Sequence, residues 1–168
     1  MNELKKEMIK GILFVSIVGT LWHFVYEWSG QNPIVGLFFP VNESTWEHMK
    51  LLFFPMLLYT LYAYKKLKDA FPCIPSALLY GILSGTFLIP VLFYTYKGIL
   101  GSDYIALDIA VFIGSVMVAF WNVYKYVLSC RLSPVLPLLI IAVIAIAVCF
   151  FIFTYYPPAI GLFAVPGK

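Results

Sequence analysis

Only two histidines occur in the chain, His23 and His48, and both stand among carboxylates. His23 and Glu27 are four residues apart, so on a helix they share a face and lie close enough to share a proton or a ligand. His48 falls in the run PVNESTWEHMK, residues 40–50, which also supplies Asn42, Glu43 and Glu47. Imidazole nitrogens and carboxylate oxygens are the donors a divalent cation takes, several of them brought to about 2.0–2.2 Å. The spacing predicts a divalent-metal site made from His23, Glu27, Glu43 and Glu47, drawn from two helices. A metal held this way activates water against a lipid or lipid-linked bond. Without a metal, Glu27 or Glu47 acting with His23 are the candidates for acid–base catalysis. The chain contains no HExxH, no paired ExxH and no GxSxG, so no established hydrolase motif names the reaction.

A third region adds Asp108, followed at intervals of seven by Ser115 and Asn122 on one helical face. A second stripe, Ser16, Thr20, His23 and Glu27, marks one face of the first apolar segment. The expected pocket is His23, Glu27, Asn42, Glu43, Glu47, His48 and Asp108. Asp103 is read as an interfacial loop residue. Glu43, Glu47 and Lys50, at spacings of four and three, are placed on one face, with His48 about 100° away from Glu47. Asn42, or alternatively Ser44 with Glu47 as a capping box, begins that helix.

The elements that must carry these residues are apolar. The 168 residues are 62% hydrophobic and only 11% charged. An average soluble domain is about 45–50% apolar and about 25% charged, and so few charges cannot cover a water-facing surface. The composition excludes a disordered chain, a coiled coil and a disulfide-rich secreted domain. The net charge of +3 is spread along the chain and gives no nucleic-acid footprint. Five apolar segments, about 8–28, 44–64, 75–94, 104–124 and 134–155, each approach the ~20 residues a helix needs to cross ~30 Å of hydrocarbon. They are helices because lipid offers unpaired backbone no partner, and no ten-residue alternation supports a barrel. The expectation is therefore all-α: one multi-pass domain in the cell membrane, a five-helix transmembrane bundle in contact with lipid.

Lys5, Lys6, Lys10, Lys65, Lys66, Lys68, Lys125 and Arg131 fall on one side of five threaded spans, against Lys97 and Lys168 on the other, with Lys50 near the outer end of span 2. That bias makes the amino terminus cytoplasmic and the carboxyl terminus extracytoplasmic. It places the polar pocket beneath the outer headgroups, where an ionisable group is costly and marks function. The outer loop 29–41 is apolar and is expected to be re-entrant or to pack over the bundle. Pro55 is expected to kink its span. Cys73, Cys130 and Cys149 show no CxxC spacing and are read as small apolar residues, without a disulfide.

The run at 40–50, the preceding HFVYEWSG at 23–30, Phe54-Pro55 and the closing Tyr155-Tyr156-Pro157-Pro158 resemble the signature of a family of small bacterial polytopic membrane proteins of unknown function. The resemblance implies the topology and no activity. Ala159 stands where a histidine often follows the two prolines in that family, so it implies no ligand from the tail. Two other functions compete with the metal site. One is an ion- or proton-coupled carrier subunit, which would have to be a homo-oligomer, with Asp108, Ser115 and Asn122 as its path. The other is a non-catalytic binding or assembly subunit, including a haem held by His23 and His48.

Overall fold

The computed structural model describes residues 2–165, and every regular element among them is helical. Five long helices run α1 (Asn2–Trp28), α3 (Thr45–Leu67), α4 (Ile74–Leu100), α5 (Ile105–Ser129) and α6 (Leu136–Tyr155). A short α2 (Pro33–Gly36) lies in the first connection. Single 3-10 turns at Ser133–Val135 and Gly161–Phe163 flank α6. The long helices overlap the five apolar segments and extend past several of their ends. Four of them are long and apolar enough to cross a membrane: α1, α4, α5 and α6 with its leading 3-10 turn. At 27 residues, α1 and α4 each reach about 40 Å, longer than the ~30 Å of hydrocarbon.

α3 is different because it is the centre. Its charged ends keep it from reading as a purely apolar span, yet Met49, Leu52, Phe53, Met56, Ala63 and Leu67 are wholly or nearly wholly buried. α1 and α4 pack on it, and α5 closes against both α1 and α4. The outward faces of α1 (Ile9, Leu13, Ile17), α5 (Ile109, Met117, Trp121) and α6 (Ile141, Ile144, Val148) are exposed and apolar. Water-soluble monomers rarely expose so much apolar surface, and it is compatible with a lipid surround. Pro55 lies inside α3 and Pro90 inside α4, and both helices continue through them.

Close helix contact depends on glycine. A Cβ on Gly19 would lie 2.4 Å from the Leu51 carbonyl oxygen and 2.6 Å from the Phe112 ring, so α1 meets α3 backbone to backbone there. At the α4–α5 turn, Gly101 has φ of 76°, the left-handed cap that residues with a Cβ rarely adopt.

The connection 29–41 packs over the bundle through both polar and aromatic contacts. Phe38 meets Phe54 and Phe151 edge-on, and Trp22 packs on Phe39 at 4.4 Å. Lys50 Nζ donates to the Gly36 carbonyl at 3.0 Å, to Glu47 at 2.8 Å and to Thr154 Oγ1 at 2.5 Å. Glu47 also accepts from the Val41 N–H at 3.0 Å. All three ammonium protons are thereby used, and the pair fastens the loop, α3 and α6 together. Removing either partner of such a buried pair costs about 3–5 kcal/mol, because the other charge is left uncompensated.

The cysteine expectation is corrected. Cys73 and Cys130 form a disulfide, with Cα atoms 5.3 Å apart, and Cys149 is free. α4 and α5 are antiparallel neighbours, so the residue that caps the start of α4 meets the residue that caps the end of α5. Nothing in the linear spacing of 57 residues signals that closeness. The disulfide lies at the end of the bundle that carries Lys65, Lys66, Lys68, Lys125 and Arg131. The histidines lie at the opposite end.

Candidate metal centre

Ser44 caps α3: its backbone is extended, and its side chain accepts from the Glu47 N–H. Asn42 accepts from the Ser44 N–H at 2.9 Å, a local turn that shapes the approach to the cap. The helix therefore begins at Thr45, and Glu43 is not in helical phase with Glu47 and Lys50. Glu43 turns instead toward α1, where His23 stands about one turn beyond the close contact at Gly19.

The outcome is a three-residue cluster. His23 Nε2 is 3.4 Å from Glu43 Oε1, and His48 Nε2 is 3.4 Å from Glu43 Oε2. One ligand atom from each of the three residues lies within 4.8 Å of the others. Two ligands of a tetrahedral ion, each at about 2.1 Å, are about 3.4 Å apart. Each histidine–carboxylate distance equals such an edge, though the two reach different oxygens of Glu43, and the three ligand atoms, within 4.8 Å of one another, would draw in slightly around an ion. The imidazole rings are stacked, with centroids 5.4 Å apart, and both Nε2 atoms address the same carboxylate. That disposition suits one small cation; two axial ligands of a haem would have to face each other across the iron.

The hydrogen bonds of His48 define its chemistry. Its Nδ1 lies 3.0 Å from the Ser44 carbonyl, which can only accept, so Nδ1 carries the proton. In a neutral ring, Nε2 then holds a lone pair aimed at a carboxylate. Two lone pairs repel, so the contact requires either a second ring proton or a metal ion. A backbone carbonyl that fixes the outer nitrogen is the usual support of a ligating histidine. His48 beside Glu43 holds the Glu43 carboxyl below the usual carboxylate range, with His23 adding in the same direction against the opposing effect of burial.

The cluster lines a cavity of about 580 Å³ between α1, α3, α4 and α5. Asp108, in the first turn of α5, faces the same cavity and accepts a hydrogen bond from the Tyr96 hydroxyl. Asp103 lines it too and pairs with Lys97 at 3.4 Å. Thr20 and Thr45 complete the polar lining. The remaining walls are apolar.

Of the residues expected in the pocket, His23, Glu43, His48 and Asp108 come together around this cavity. The others do not. Glu27 is exposed and bonded to Gln31 Nε2 at 3.2 Å, because the helix carries it past the cavity toward the loop. Glu47 is sealed with Lys50 in the clasp described above. Asn42 serves the turn before α3. Farther along α5, Asn122 donates to Ser84 on α4, and Ser115 is buried without a hydrogen-bond partner. Tyr96 was not among the expected pocket residues. Its place opposite Asp108 comes from the α4–α5 hairpin, whose turn at Gly101 sets the two helices antiparallel.

In comparison with known proteins, residues 1–167 match the family described as "Family of unknown function (DUF6512)". No curated protein and no solved structure matches the chain.

Proposed function

We propose, from the premise that the chain belongs to the DUF6512 family of unknown function, a multi-pass membrane protein that binds a divalent transition metal through His23, Glu43 and His48. In this reading α3 is a fifth crossing, shielded from lipid by its neighbours and carrying its buried charge as a Glu47–Lys50 pair. The basic end faces the cytoplasm. The metal then sits beneath the outer headgroups. Two histidines and one glutamate leave a fourth position open, as catalytic zinc sites do. A metal held by these residues would supply an acidified water near neutral pH. Hydrolysis by such a water would join its oxygen to the electrophilic atom of a lipid-phase substrate, break the bond to the leaving oxygen or nitrogen, and pass a proton to the leaving group. Asp108, on the facing wall and acceptor to Tyr96, is positioned to hold that proton.

The observation that carries the reading is the pair of 3.4 Å contacts from two imidazoles on different elements to one carboxylate. The test is elemental analysis of the full chain purified in neutral detergent and dialysed against trace zinc. One equivalent of metal is expected in the wild type, with loss of most of it in His48→Ala and in His23→Ala. Equal metal content in all three proteins overturns the assignment.

A further inference from the structure

The cavity beside the cluster differs from a phosphate site in its charge. Glu43, Asp103 and Asp108 all line it, and among the described residues no lysine or arginine does. Lys97 stands at its edge, 5.3 Å over the Phe93 ring, and its charge is taken up by Asp103 at 3.4 Å. With a dication on His23, Glu43 and His48, the site is close to neutral and has no positive charge left over for an anionic headgroup. A phosphate would meet the metal on one side and carboxylates on the other, and like charges in a desolvated site repel strongly.

The mouth of the cavity is apolar. Phe24 on α1 and Ile105 and Ile109 on α5 line it and are exposed, Ile105 by 80%. Leu51 and Phe112 form its inner wall, where α1 approaches α3. In a bilayer this rim faces hydrocarbon, so a chain-bearing molecule enters without leaving lipid. The volume lies within the ~300–1,000 Å³ range of small-molecule sites.

We infer that the ligand of this site is an uncharged, chain-bearing carbonyl compound, a long-chain ester or amide, that enters sideways between α1 and α5. The inference rests on the metal reading above and adds the substrate class to it. The acyl chain occupies the apolar wall, and the carbonyl oxygen takes the open metal position. Phosphodiesters and phosphomonoesters are discriminated against chiefly by Asp108, since Asp103 is neutralised by Lys97.

The test measures binding, so that it does not depend on the leaving group. The full chain in neutral detergent, loaded with zinc, is titrated calorimetrically with dodecanohydroxamic acid, dodecylphosphonic acid and acetohydroxamic acid. Zinc content is determined on each sample. The long-chain hydroxamate is expected to bind at least ~10-fold tighter than either of the others. Asp108→Asn is expected to narrow its advantage over the phosphonate. Ile109→Trp, which fills the mouth, is expected to weaken the long-chain hydroxamate ~10-fold and to leave the short one nearly unchanged. Zinc bound, with the phosphonate equal or tighter, overturns the substrate class and leaves the metal reading standing. Zinc bound, with chain length immaterial, overturns lateral entry. No zinc bound overturns the metal reading and this inference with it.

Discussion

At the scale of single residues, the chemistry turns on which carboxylate joins the two histidines. Glu43 is the one that does, with a contact to each ring. Its carboxyl is held below the usual carboxylate range, so it is ionised near neutral pH and adds little pH dependence there. The pH dependence of metal binding must then come from the imidazoles, since a ligating nitrogen cannot keep its proton. Metal affinity is expected to fall as pH is lowered, and metal binding in mildly acidic solution is expected to release protons into weak buffer. Calorimetry in two buffers of different ionisation enthalpy measures that release. Glu43→Gln is expected to weaken zinc at least ~10-fold, whereas Glu27→Gln, on the exposed flank of α1, is expected to leave it unchanged. A loss in Glu27→Gln equal to that in Glu43→Gln would refute the placement.

At the scale of elements, the site depends on how closely α1 lies against α3. Gly19 sets that distance, since any Cβ there collides with the Leu51 carbonyl and the Phe112 ring. His23 is one turn farther along α1, and His48 is on α3. Gly19→Ala is expected to force the helices apart, costing about 1–3 kcal/mol as overpacking does. The same displacement should draw His23 away from Glu43. A paired measurement of detergent-denaturation midpoint and zinc affinity checks this: both are expected to fall. A normal zinc affinity in a destabilised Gly19→Ala would show that the cluster does not depend on this contact. The comparison is informative because His48, Ser44 and Glu43 all belong to α3 and its cap and do not move with α1.

At the scale of the whole molecule, two features at the basic end pull in opposite directions. Its lysines favour the cytoplasm, and its Cys73–Cys130 disulfide favours an oxidising compartment. The proposed orientation resolves this in favour of charge and has a consequence for the thiols. Glutathione and thioredoxin should keep Cys73 and Cys130 reduced in growing cells, and the pair should close once the protein is purified in air. Alkylation of intact cells with a membrane-permeant maleimide, followed by denaturation and mass spectrometry, is expected to find all three cysteines modified; the air-oxidised protein should show Cys149 alone. Modification of Cys149 alone in cells would reverse the orientation and put the histidine end in the cytosol. The bond closes a long segment of chain and should contribute about 2–4 kcal/mol to the oxidised form.

What could be known from the amino acids alone is what each stretch of chain imposes on itself. Composition and segment length were enough for an all-helical fold with apolar outer faces. The grouping of both histidines with Glu43 and Asp108 at one end follows from their positions along successive antiparallel segments. Spacing also defines a face on each helix. It cannot define the rotation of one helix against its neighbour, and that rotation turns the Glu47–Lys50 face toward Thr154 while Glu27 is left outside. Glu43 lay beyond a helical argument altogether, because it precedes the Ser44 cap and takes its direction from extended backbone. The Cys73–Cys130 bond and the Tyr96–Asp108 contact likewise exist only once α4 and α5 lie side by side. Local propensities act over one turn of helix, whereas a site shared by four helices is decided by how their surfaces interlock.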